Sequence, residues 1–567
     1  MPSIGAHLDP LLREIAEATT LGDLLVRASA RSPDAEAVVF PTERATYGEL
    51  LNESVAVARG LIGLGVDRGD HVGILMPNSM DFLRCLFGAA LLGTVVVPIN
   101  SRFRTAELRH VTGDADLKVI LTSDLVAEHA DHPARLAEAL PGLSDASESP
   151  LLRLEDTPEL RAVVSLGAGT RTGFVSRQQF EYLARDVSVD AVEQRRALVR
   201  IRDTVMLLYT SGTTANPKGC IHTHEGLVRN GIVTGRTRFH LDRYDRFWDP
   251  LPMFHVGFLL PMIAAVDAGA TILTMTHLDA DTALQQVASE RATWLFPAFP
   301  AVANTLLDHP AFGAHDLSHV RMTMCVGTAA ELRRLQEAIP SSVQISTYGS
   351  TETGGVITYH LVTDTPGQRS TTCGPPFRGI EVRVVDLSTG EELPDGEIGE
   401  ICVRGYSIFS GYYNDSEKTA QALDAAGWLH TGDLGSLDDA GHVTYHGRLK
   451  DMLKVGGENV GAVEVEAVLS EHPDVAVAAV VGAPDGRLSE VVAAFVERRA
   501  GSDVSADDLI AHCAARLASF KVPQYVRFVT DWPMSATKIL KHVLREQIAL
   551  ELSAPGGESP RPKGSSA

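Results

Sequence analysis

Cysteine, positive charge and long apolar runs are all scarce in this chain of 567 residues. Its six cysteines are scattered and form neither a CxxC pair nor a metal-ligand spacing, which indicates reduced thiols and a cytoplasmic location. The 50 basic residues are outnumbered by 72 acidic ones, and the resulting net charge of −22 argues against nucleic-acid partners. Any anionic substrate therefore needs a local cluster of positive charge.

Export and a membrane span are not predicted. The first 25 residues include acidic side chains and lack the uncharged core of a signal peptide. The longest uncharged apolar run, Leu86 to Ile99, has 14 residues, whereas a helix needs roughly 20 to cross a bilayer. We interpret this run as a buried helix followed by a strand.

Two regions of the sequence alternate short apolar strands with segments of helical periodicity. The first extends from Ala37 to about Leu121, and the second from Thr271 to Ser346. Such alternation predicts β-α-β units around buried parallel sheets, and the second layer could duplicate the first in shape. The polar stretch from Pro141 to Arg195 is instead predicted to be loop-rich surface.

The pattern changes after Ile380. Ile380 to Val385 and Glu400 to Arg404 alternate apolar with polar residues, which predicts antiparallel strands. A compact helix-strand-strand-helix unit then extends from Val463 to Ala518. The prediction is an α/β fold with a large N-terminal domain (1–449), a small α+β C-terminal domain (450–552) and a disordered tail (553–567).

A dense polar loop follows the strand predicted at Val205 to Tyr209. Gly212 and Gly219 allow the backbone to approach a ligand closely, and Lys218 adds a mobile positive charge, so the loop can surround phosphate oxygens. It is not a Walker loop, which requires Gly-Lys-Ser/Thr. A plain polar turn is the alternative. The hydroxyls of the loop belong to Thr210, Ser211, Thr213 and Thr214.

The segment from Tyr209 to Gly219 resembles the signature loop of the adenylate-forming superfamily, which includes acyl-CoA synthetases, stand-alone adenylation domains and luciferases. The resemblance implies an ATP-dependent carboxylic acid–CoA ligase that releases pyrophosphate and AMP. Its cofactors would be ATP, Mg²⁺ and coenzyme A. It implies that Thr214 is catalytic and that Thr210, Ser211, Gly212, Thr213 and Lys218 bind the nucleotide.

A second polar cluster, Tyr348 to Gly355, contains a single carboxylate. An acid among phosphate-binding groups favours a bridging divalent cation, so Glu352 is the candidate Mg²⁺ ligand, and capping of the next helix is the alternative. The cluster resembles the nucleotide segment of the family. By that similarity Tyr348 lies against the adenine, Gly349 belongs to the nucleotide-binding residues, Thr351 reaches the α-phosphate, and Glu352 holds the metal and is catalytic.

His430 to Gly435 places Asp433 in what we interpret as a glycine-bounded turn. A carboxylate that accepts from two adjacent hydroxyls is a common sugar ligand, although a plain turn would have the same sequence. The resemblance, supported by Gly447 to Asp451 downstream, implies that Asp433 binds ribose and Arg448 the nucleotide. Lys450 would be the hinge of the small domain.

Two further segments resemble parts of the family that act in turn. Gly456 and Gly457 correspond to the loop that lines the pantetheine tunnel, although Ala462 stands where the family often has proline. Lys538 corresponds to the catalytic lysine, although Thr537 replaces the glycine that usually precedes it. Solvated lysines are the alternative. In the family the mobile small domain presents the lysine and then the glycine loop.

His255 lies in the apolar segment Pro252 to Phe258, where the resemblance implies a contact with the acyl carboxylate and a buried core histidine is the alternative. Apolar residues in Trp248–Phe258, Phe296–Phe299 and Cys325–Ala330 favour a fatty, alicyclic or aryl acid. The predicted partners are this acid, ATP and CoA, with a homodimer as candidate assembly. A carrier-loading enzyme, a luciferase-like oxidase and a non-catalytic binding protein are the alternative functions.

Overall fold

The computed structural model describes residues 19–144, 152–169, 171–210, 216–455, 458–485, 487–535 and 538–553. Within these ranges two seven-stranded sheets form the framework of the N-terminal region. From edge to edge, the first sheet contains β7 (Val175–Ser176), β6 (Ala162–Ser165), β5 (Leu117–Thr122), β3 (His71–Leu75), β4 (Val95–Pro98), β8 (Thr204–Thr210) and β9 (Lys218–Thr223). The second contains β14 (Val343–Ile345), β13 (Met322–Cys325), β12 (Trp294–Ala298), β10 (Arg246–Trp248), β11 (Thr271–Leu273), β1 (Glu36–Val39) and β2 (Arg44–Thr46).

The two sheets have the same topology. Counted along the chain, the five successive parallel strands of each sheet lie in the order 2-1-3-4-5. Beside strand 2 lies the first strand of a hairpin, in parallel, and the second hairpin strand runs antiparallel at the edge. This hairpin is β8–β9 in the first sheet and β1–β2 in the second. The predicted duplication of shape is therefore confirmed.

Helices cover both faces of each sheet. One apolar cluster joins the inner faces of the two sheets, and separate clusters cover their outer faces. Each large apolar side chain that is fully buried there stabilises the fold by about 1.5–3 kcal/mol. The helices in this region are α1 (Leu21–Arg31), α2 (Tyr47–Gly63), α3 (Met80–Leu91), α4 (Thr105–Asp114), α5 (His132–Ala139), α6 (Arg177–Arg185), α7 (Val189–Arg196), α8 (His224–Thr234), α9 (Val256–Ala268), α10 (Ala280–Ser289), α11 (Pro300–Leu307), α12 (Ala329–Ala338) and α13 (Pro366–Thr371).

The prediction of loop-rich surface between Pro141 and Arg195 is wrong. Strand β6 is fully buried between β5 and β7, and helices α6 and α7 follow it. Phe180 of α6 packs so closely on Gly60 of α2 that a Cβ at Gly60 would lie 2.5 Å from its ring. A four-residue strand and a polar helix with one aromatic anchor leave too little periodicity to be found from sequence.

A four-stranded antiparallel sheet follows, as predicted. It contains β17 (Ile380–Val385), β18 (Gly399–Gly405), β19 (Leu429–Leu437) and β20 (Val443–Arg448), with α14 (Ser416–Ala422) between β18 and β19. A separate two-stranded hairpin, β15 (Thr347–Tyr348) and β16 (Thr358–Tyr359), precedes it.

The C-terminal region has its own sheet and its own apolar clusters. Its strands are β21 (Leu453–Val455), β22 (Glu458–Val460), β23 (Val475–Asp485), β24 (Ser489–Arg498) and β25 (Tyr525–Phe528), with the hairpin β26 (Met534–Ser535) and β27 (Lys538–Ile539). Its helices are α15 (Ala462–Ser470), α16 (Ala506–Ala514) and α17 (Lys541–Ser553). The predicted fold class, with a smaller α+β unit at the C-terminus, is confirmed.

The domain boundaries at 449 and 552 stay predictions. The tail predicted at 553–567 lies outside the described residues except for Ser553, which is the last residue of α17. Among the described residues, no helix combines the length and the apolar character that a bilayer span requires.

Candidate active site

The loops at the carboxyl ends of the strands in the second sheet contain several of the predicted site residues. Residues 249–258, 326–330 and 346–355 follow the carboxyl ends of β10, β13 and β14. In an open parallel sheet, ligands bind where neighbouring connections leave in opposite directions. That point lies between β10 and β12, because β10 connects to β11 on one side and β12 to β13 on the other. The segments with His255 and Phe299 begin on the two sides of this crevice.

His255 is the N-cap residue of α9. Its Nδ1 accepts a hydrogen bond from the backbone N–H of Gly257 at 3.1 Å, and its ring is half-buried. This capping bond gives His255 a structural role at the start of α9, so the alternative of a structural histidine stays open. Its contact with an acyl carboxylate stays a prediction.

The predicted phosphate loop connects the two strands of the β8–β9 hairpin. Thr210 and Lys218 form the strand pair nearest the loop, so the predicted strand before it is confirmed. The Nζ of Lys218 lies 5.0 Å from the centre of the Tyr412 ring, and Lys218 makes no ion pair within the described residues. Four predicted residues of the loop lie outside those residues: Ser211, Gly212, Thr213 and Thr214.

Glu352 lies in the loop between β15 and β16. Its Oε1 accepts a hydrogen bond from the Tyr412 hydroxyl at 3.0 Å, and its backbone oxygen accepts from Phe409 N–H at 2.9 Å. No helix starts here, since α13 begins only at Pro366, so the helix-cap alternative is wrong. Thr351 beside it is half-buried.

Local packing gives this loop one shape. A Cβ at Gly349 would lie 2.1 Å from the backbone oxygen of Gly355, so only glycine fits at position 349. The buried amide of Asn230 donates to the backbone oxygens of Gly354 at 3.1 Å and Val356 at 2.8 Å. On β9, burial lowers the pKa of His222 to about 4, so that this neighbour of Glu352 is neutral at pH 7.

Tyr348, Asp433 and Arg448 meet in one cluster. The Tyr348 hydroxyl donates to Asp433 Oδ2 at 2.7 Å, and Arg448 Nε lies 2.8 Å from Asp433 Oδ1. The rings of Tyr348 and Tyr445 stack with centres 6.0 Å apart. Burial and the neighbouring Asp433 carboxylate raise the pKa of the Tyr348 hydroxyl well above its usual value. Three segments predicted to bind nucleoside thus converge, with Asp433 only 2% exposed.

The turn predicted around Asp433 is wrong, because the residue lies within strand β19 opposite Arg448. The strand is bulged: its register against β18 shifts between His430 and Leu434, and Gly432 has a φ of +67°. Glu400 fixes the bulge by accepting from Gly432 N–H at 3.0 Å. A glycine beside an aspartate is typical of a turn, and only the partner strand shows it to be a bulge.

The C-terminal candidates lie on short elements. Lys450 is exposed in a single turn of 3₁₀ helix, 449–451, between β20 and β21, and Gly456 and Gly457 lie outside the described residues. Lys538 begins strand β27. The nearby Lys541 forms an ion pair with Glu466 of α15 at 2.6 Å, which explains that lysine as a structural one.

Sequence reasoning missed the residues that connect these segments. Tyr412 contacts both Glu352 and Lys218, Tyr445 stacks on Tyr348, and Asn230 holds the Glu352 loop. They are single polar or aromatic residues in segments without chemical patterning. Only the tyrosine pair at positions 412 and 413, directly after Gly411, is a signal that could have been noticed.

Residues 25–413 match the family model for the AMP-binding enzyme, and residues 464–538 match its C-terminal domain. The chain belongs to the adenylate-forming, AMP-binding enzymes. This adenylate-forming enzyme is 34% identical over 537 residues to the putative acyl-CoA synthetase YngI of Bacillus subtilis, covering 93% of this chain and 97% of YngI. The predicted superfamily and the assignment as an ATP-dependent acyl-CoA ligase are confirmed.

Two other comparisons cover almost the whole adenylate-forming chain. A methyl-dioxo-octahydro-indenyl-propanoyl:CoA ligase of Mycobacterium tuberculosis is 34% identical over 539 residues, covering 94% of this chain and 99% of that ligase. The crystal structure of the anthranilate CoA ligase AuaEII with anthranoyl-AMP has a TM-score of 0.83 at 27% identity, covering 95% of this chain and 99% of AuaEII.

Proposed function

We propose that this acyl-CoA ligase activates an apolar carboxylic acid with MgATP and transfers the acyl group to CoA. The roles that we propose for individual residues are supported by one observation: charged and aromatic side chains from separate segments of the chain lie close together. Tyr348, Asp433 and Arg448 form the nucleoside side of the site. Glu352 and Lys218 meet at Tyr412 and form its phosphate side.

The proposed acid is fatty, alicyclic or aryl. Apolar side chains border the crevice between β10 and β12, among them Phe254, Val256 and the half-buried Phe299. The names of two relatives, an indenyl-propanoyl:CoA ligase and an anthranilate CoA ligase, support an alicyclic or aryl acid. An apolar pocket discriminates against charged acids because their charge loses its hydration there.

A panel of acids with ATP, Mg²⁺ and CoA tests this function. Octanoate, cyclohexanecarboxylate and benzoate represent the three classes, and aspartate is the matched charged control. We expect AMP release and an acyl-CoA product with at least one of the first three and none with aspartate. Acid-dependent pyrophosphate release without any acyl-CoA would favour carrier loading, and turnover of aspartate alone would overturn the acid class.

Mg²⁺ is part of the proposal because the donors around Glu352 fit it. The carboxylate uses Oε1 for the Tyr412 hydrogen bond, and Oε2 makes no hydrogen bond to the described residues. Carboxylate and hydroxyl oxygens are the ligands that Mg²⁺ prefers, and Thr351 adds a hydroxyl next to Glu352. When bound, the ion would neutralise phosphate charge.

The charges of this chain suit the two steps. In the first, a carboxylate oxygen attacks the α-phosphorus and pyrophosphate leaves; in the second, the CoA sulfur attacks the acyl carbon and AMP leaves. The first step brings one anion onto another, so Lys218, Lys538 and Arg448 would stabilise the transition state by neutralising phosphate oxygens. Asp433 would hold the ribose and thereby the orientation of the α-phosphate.

Lys538 and the small domain are tested by separating the half-reactions. Lys538→Ala should lower acid-dependent pyrophosphate release by about 10²–10³-fold, the usual effect of removing one preorganised charge. Conversion of added acyl-adenylate and CoA to acyl-CoA should remain within about twofold of wild type. Lys541→Met is the matched control. The Lys541 ammonium forms an ion pair with Glu466, so we assign it no contact with the substrates and expect both half-reactions to be retained without it. Equal losses in both steps would remove Lys538 from its role.

Lys450 is proposed as the hinge between the two conformations. Lys450→Pro fixes φ in the short helix at 449–451 and should impair thioester formation while adenylation is spared. Lys450→Ala keeps the backbone freedom and should behave as wild type. A proline variant that loses both half-reactions to the same extent would contradict the hinge.

A cytoplasmic location and a homodimer complete the proposal. The cysteines are free thiols in the structure, as expected in a reducing compartment. Light scattering should give about twice the chain mass of 60.8 kDa. A mass equal to one chain would rule out the dimer.

A further inference from the structure

Tyr412 lies between two groups of opposite charge. Its hydroxyl donates to Glu352 Oε1 at 3.0 Å, while its ring faces the Lys218 ammonium at 5.0 Å from the ring centre. The carboxylate and the ammonium therefore each contact a different part of one side chain. No ion pair joins Lys218 to Glu352 in the described part of the chain.

The backbone holds Tyr412 firmly in this place. Residues 409–413 run beside β9: Ser410 N–H donates to Ile221 at 2.9 Å, and Tyr413 N–H donates to Gly219 at 2.8 Å. Phe409 N–H bonds the backbone oxygen of Glu352 itself. The segment thus connects the hairpin that carries Lys218 with the loop that carries Glu352, and the ring of Tyr412 is fixed between them.

We propose that Tyr412 is a positioning residue that prevents Glu352 and Lys218 from pairing with each other before the nucleotide binds. A direct ion pair would neutralise both groups, and MgATP would have to break it before either could act. A phenol satisfies the carboxylate with one hydrogen bond, and an aromatic face satisfies the ammonium through a cation–π contact. Both charges then stay available. The inference rests on the proposed roles of Glu352 and Lys218.

Two substitutions separate the two contacts. Tyr412→Phe keeps the ring over Lys218 and removes only the hydrogen bond to Glu352, whereas Tyr412→Leu removes both contacts. The neighbouring Tyr413→Phe is the matched control, because that hydroxyl donates to Asp116 at 2.7 Å instead. All three proteins should be compared by thermal unfolding, so that a loss of fold is recognised.

The readout is calorimetric binding of a non-hydrolysable ATP analogue, with Mg²⁺ and with EDTA. We expect Tyr412→Phe to weaken binding about tenfold with Mg²⁺ and to leave binding in EDTA unchanged. Tyr412→Leu should weaken both, because Lys218 is then free to pair with Glu352. Adding Lys218→Met to Tyr412→Leu should cause little further loss in EDTA, since the ammonium is already neutralised.

The outcomes distinguish this inference from the function on which it rests. Wild-type protein that fails to bind the analogue with Mg²⁺ would refute the proposed function. Normal wild-type binding with an unchanged Tyr412→Phe variant would overturn only the role of Tyr412, and so would an equal loss in Tyr413→Phe. If Tyr412→Leu does not fold, the comparison of the two phenylalanine variants decides.

Discussion

Each of the two sheets has an edge hairpin whose second strand begins with a basic residue, Lys218 in β9 and Arg44 in β2. These two residues occupy equivalent positions but have different surroundings. In the strand register, Lys218 lies opposite Thr210 next to the β8–β9 connection, and Arg44 lies opposite Val39 next to the β1–β2 turn. Arg44 forms ion pairs with Glu36 at 2.6 Å and Glu290 at 3.0 Å. Lys218 instead lies over an aromatic ring and makes no ion pair in the described residues.

This difference separates architecture from chemistry. Both hairpins close a sheet of the same strand order, so the strand order alone does not select the site. What differs is the connection: residues 40–43 form a tight turn closed by a 2.7 Å hydrogen bond from Phe40 N–H to the backbone oxygen of Glu43, whereas the sequence 211–217 that joins β8 to β9 is longer and rich in hydroxyl residues. A cation already paired with carboxylates stabilises the fold, and one without such partners is available to a phosphate.

The largest expected effect concerns Glu352, the carboxylate that contacts the same tyrosine as Lys218. Glu352→Gln should lower acid-dependent pyrophosphate release by about 10²–10³-fold, because the proposed Mg²⁺ site loses its charged ligand. Glu290→Gln removes a carboxylate from the other hairpin's ion pairs and should leave that rate unchanged. The rates are measured at saturating ATP over a range of Mg²⁺ concentrations. Equal rates for the two variants would erase the distinction between the hairpins.

The next effect tests the two cations directly. Lys218→Met should lower kcat/KM for ATP by about 10–100-fold. This factor corresponds to the loss of about 1.4–2.7 kcal/mol of transition-state stabilisation from one contact with a phosphate. Arg44→Met should leave kcat/KM unchanged and lower the free energy of unfolding by at most about 1 kcal/mol, because its ion pairs are largely exposed. If Arg44→Met loses the activity instead, the equivalence between the hairpins extends to function.

A smaller effect, on stability, is expected from a substitution of Asn78, whose hydrogen bonds connect the first sheet to the loops of the second. Asn78, after β3, donates to the backbone oxygens of Leu251 and Met275 and accepts from Met253 N–H at 2.8 Å. Asn78→Ala leaves these buried groups without partners and should lower the free energy of unfolding by about 1–3 kcal/mol. The exposed Asn52→Ala is the control in urea titrations. An unchanged stability of Asn78→Ala would show that the sheets do not need this connection.

Parts of the fold and of the candidate site can be predicted from sequence because their signals are local. The strands at Thr271–Leu273 and Ile380–Val385 were predicted with their observed bounds, because their apolar runs are flanked by turns or helices. Glu352, Asp433 and Lys218 stand out as candidates in the sequence because each is a lone charge among glycines and hydroxyls. The equivalence of Arg44 and Lys218 was not predictable, since strand order depends on contacts far apart in the chain.

The same limit explains what was missed at the site. Tyr412 is 60 residues from Glu352 in sequence, and its role depends on the pairing of residues 409–413 with β9. The bulge at Asp433 depends on the register of β18 against β19. Neither fact follows from the order of residues within a short window.

The most direct test of the central claim is acid-dependent ATP–pyrophosphate exchange with purified wild-type protein and Mg²⁺, in the absence of CoA. Gathering Lys218, Arg448 and Glu352 at one nucleotide should let an apolar carboxylic acid open the triphosphate reversibly. The account predicts exchange that requires both the acid and Mg²⁺. No exchange with any acid of the three classes would contradict it.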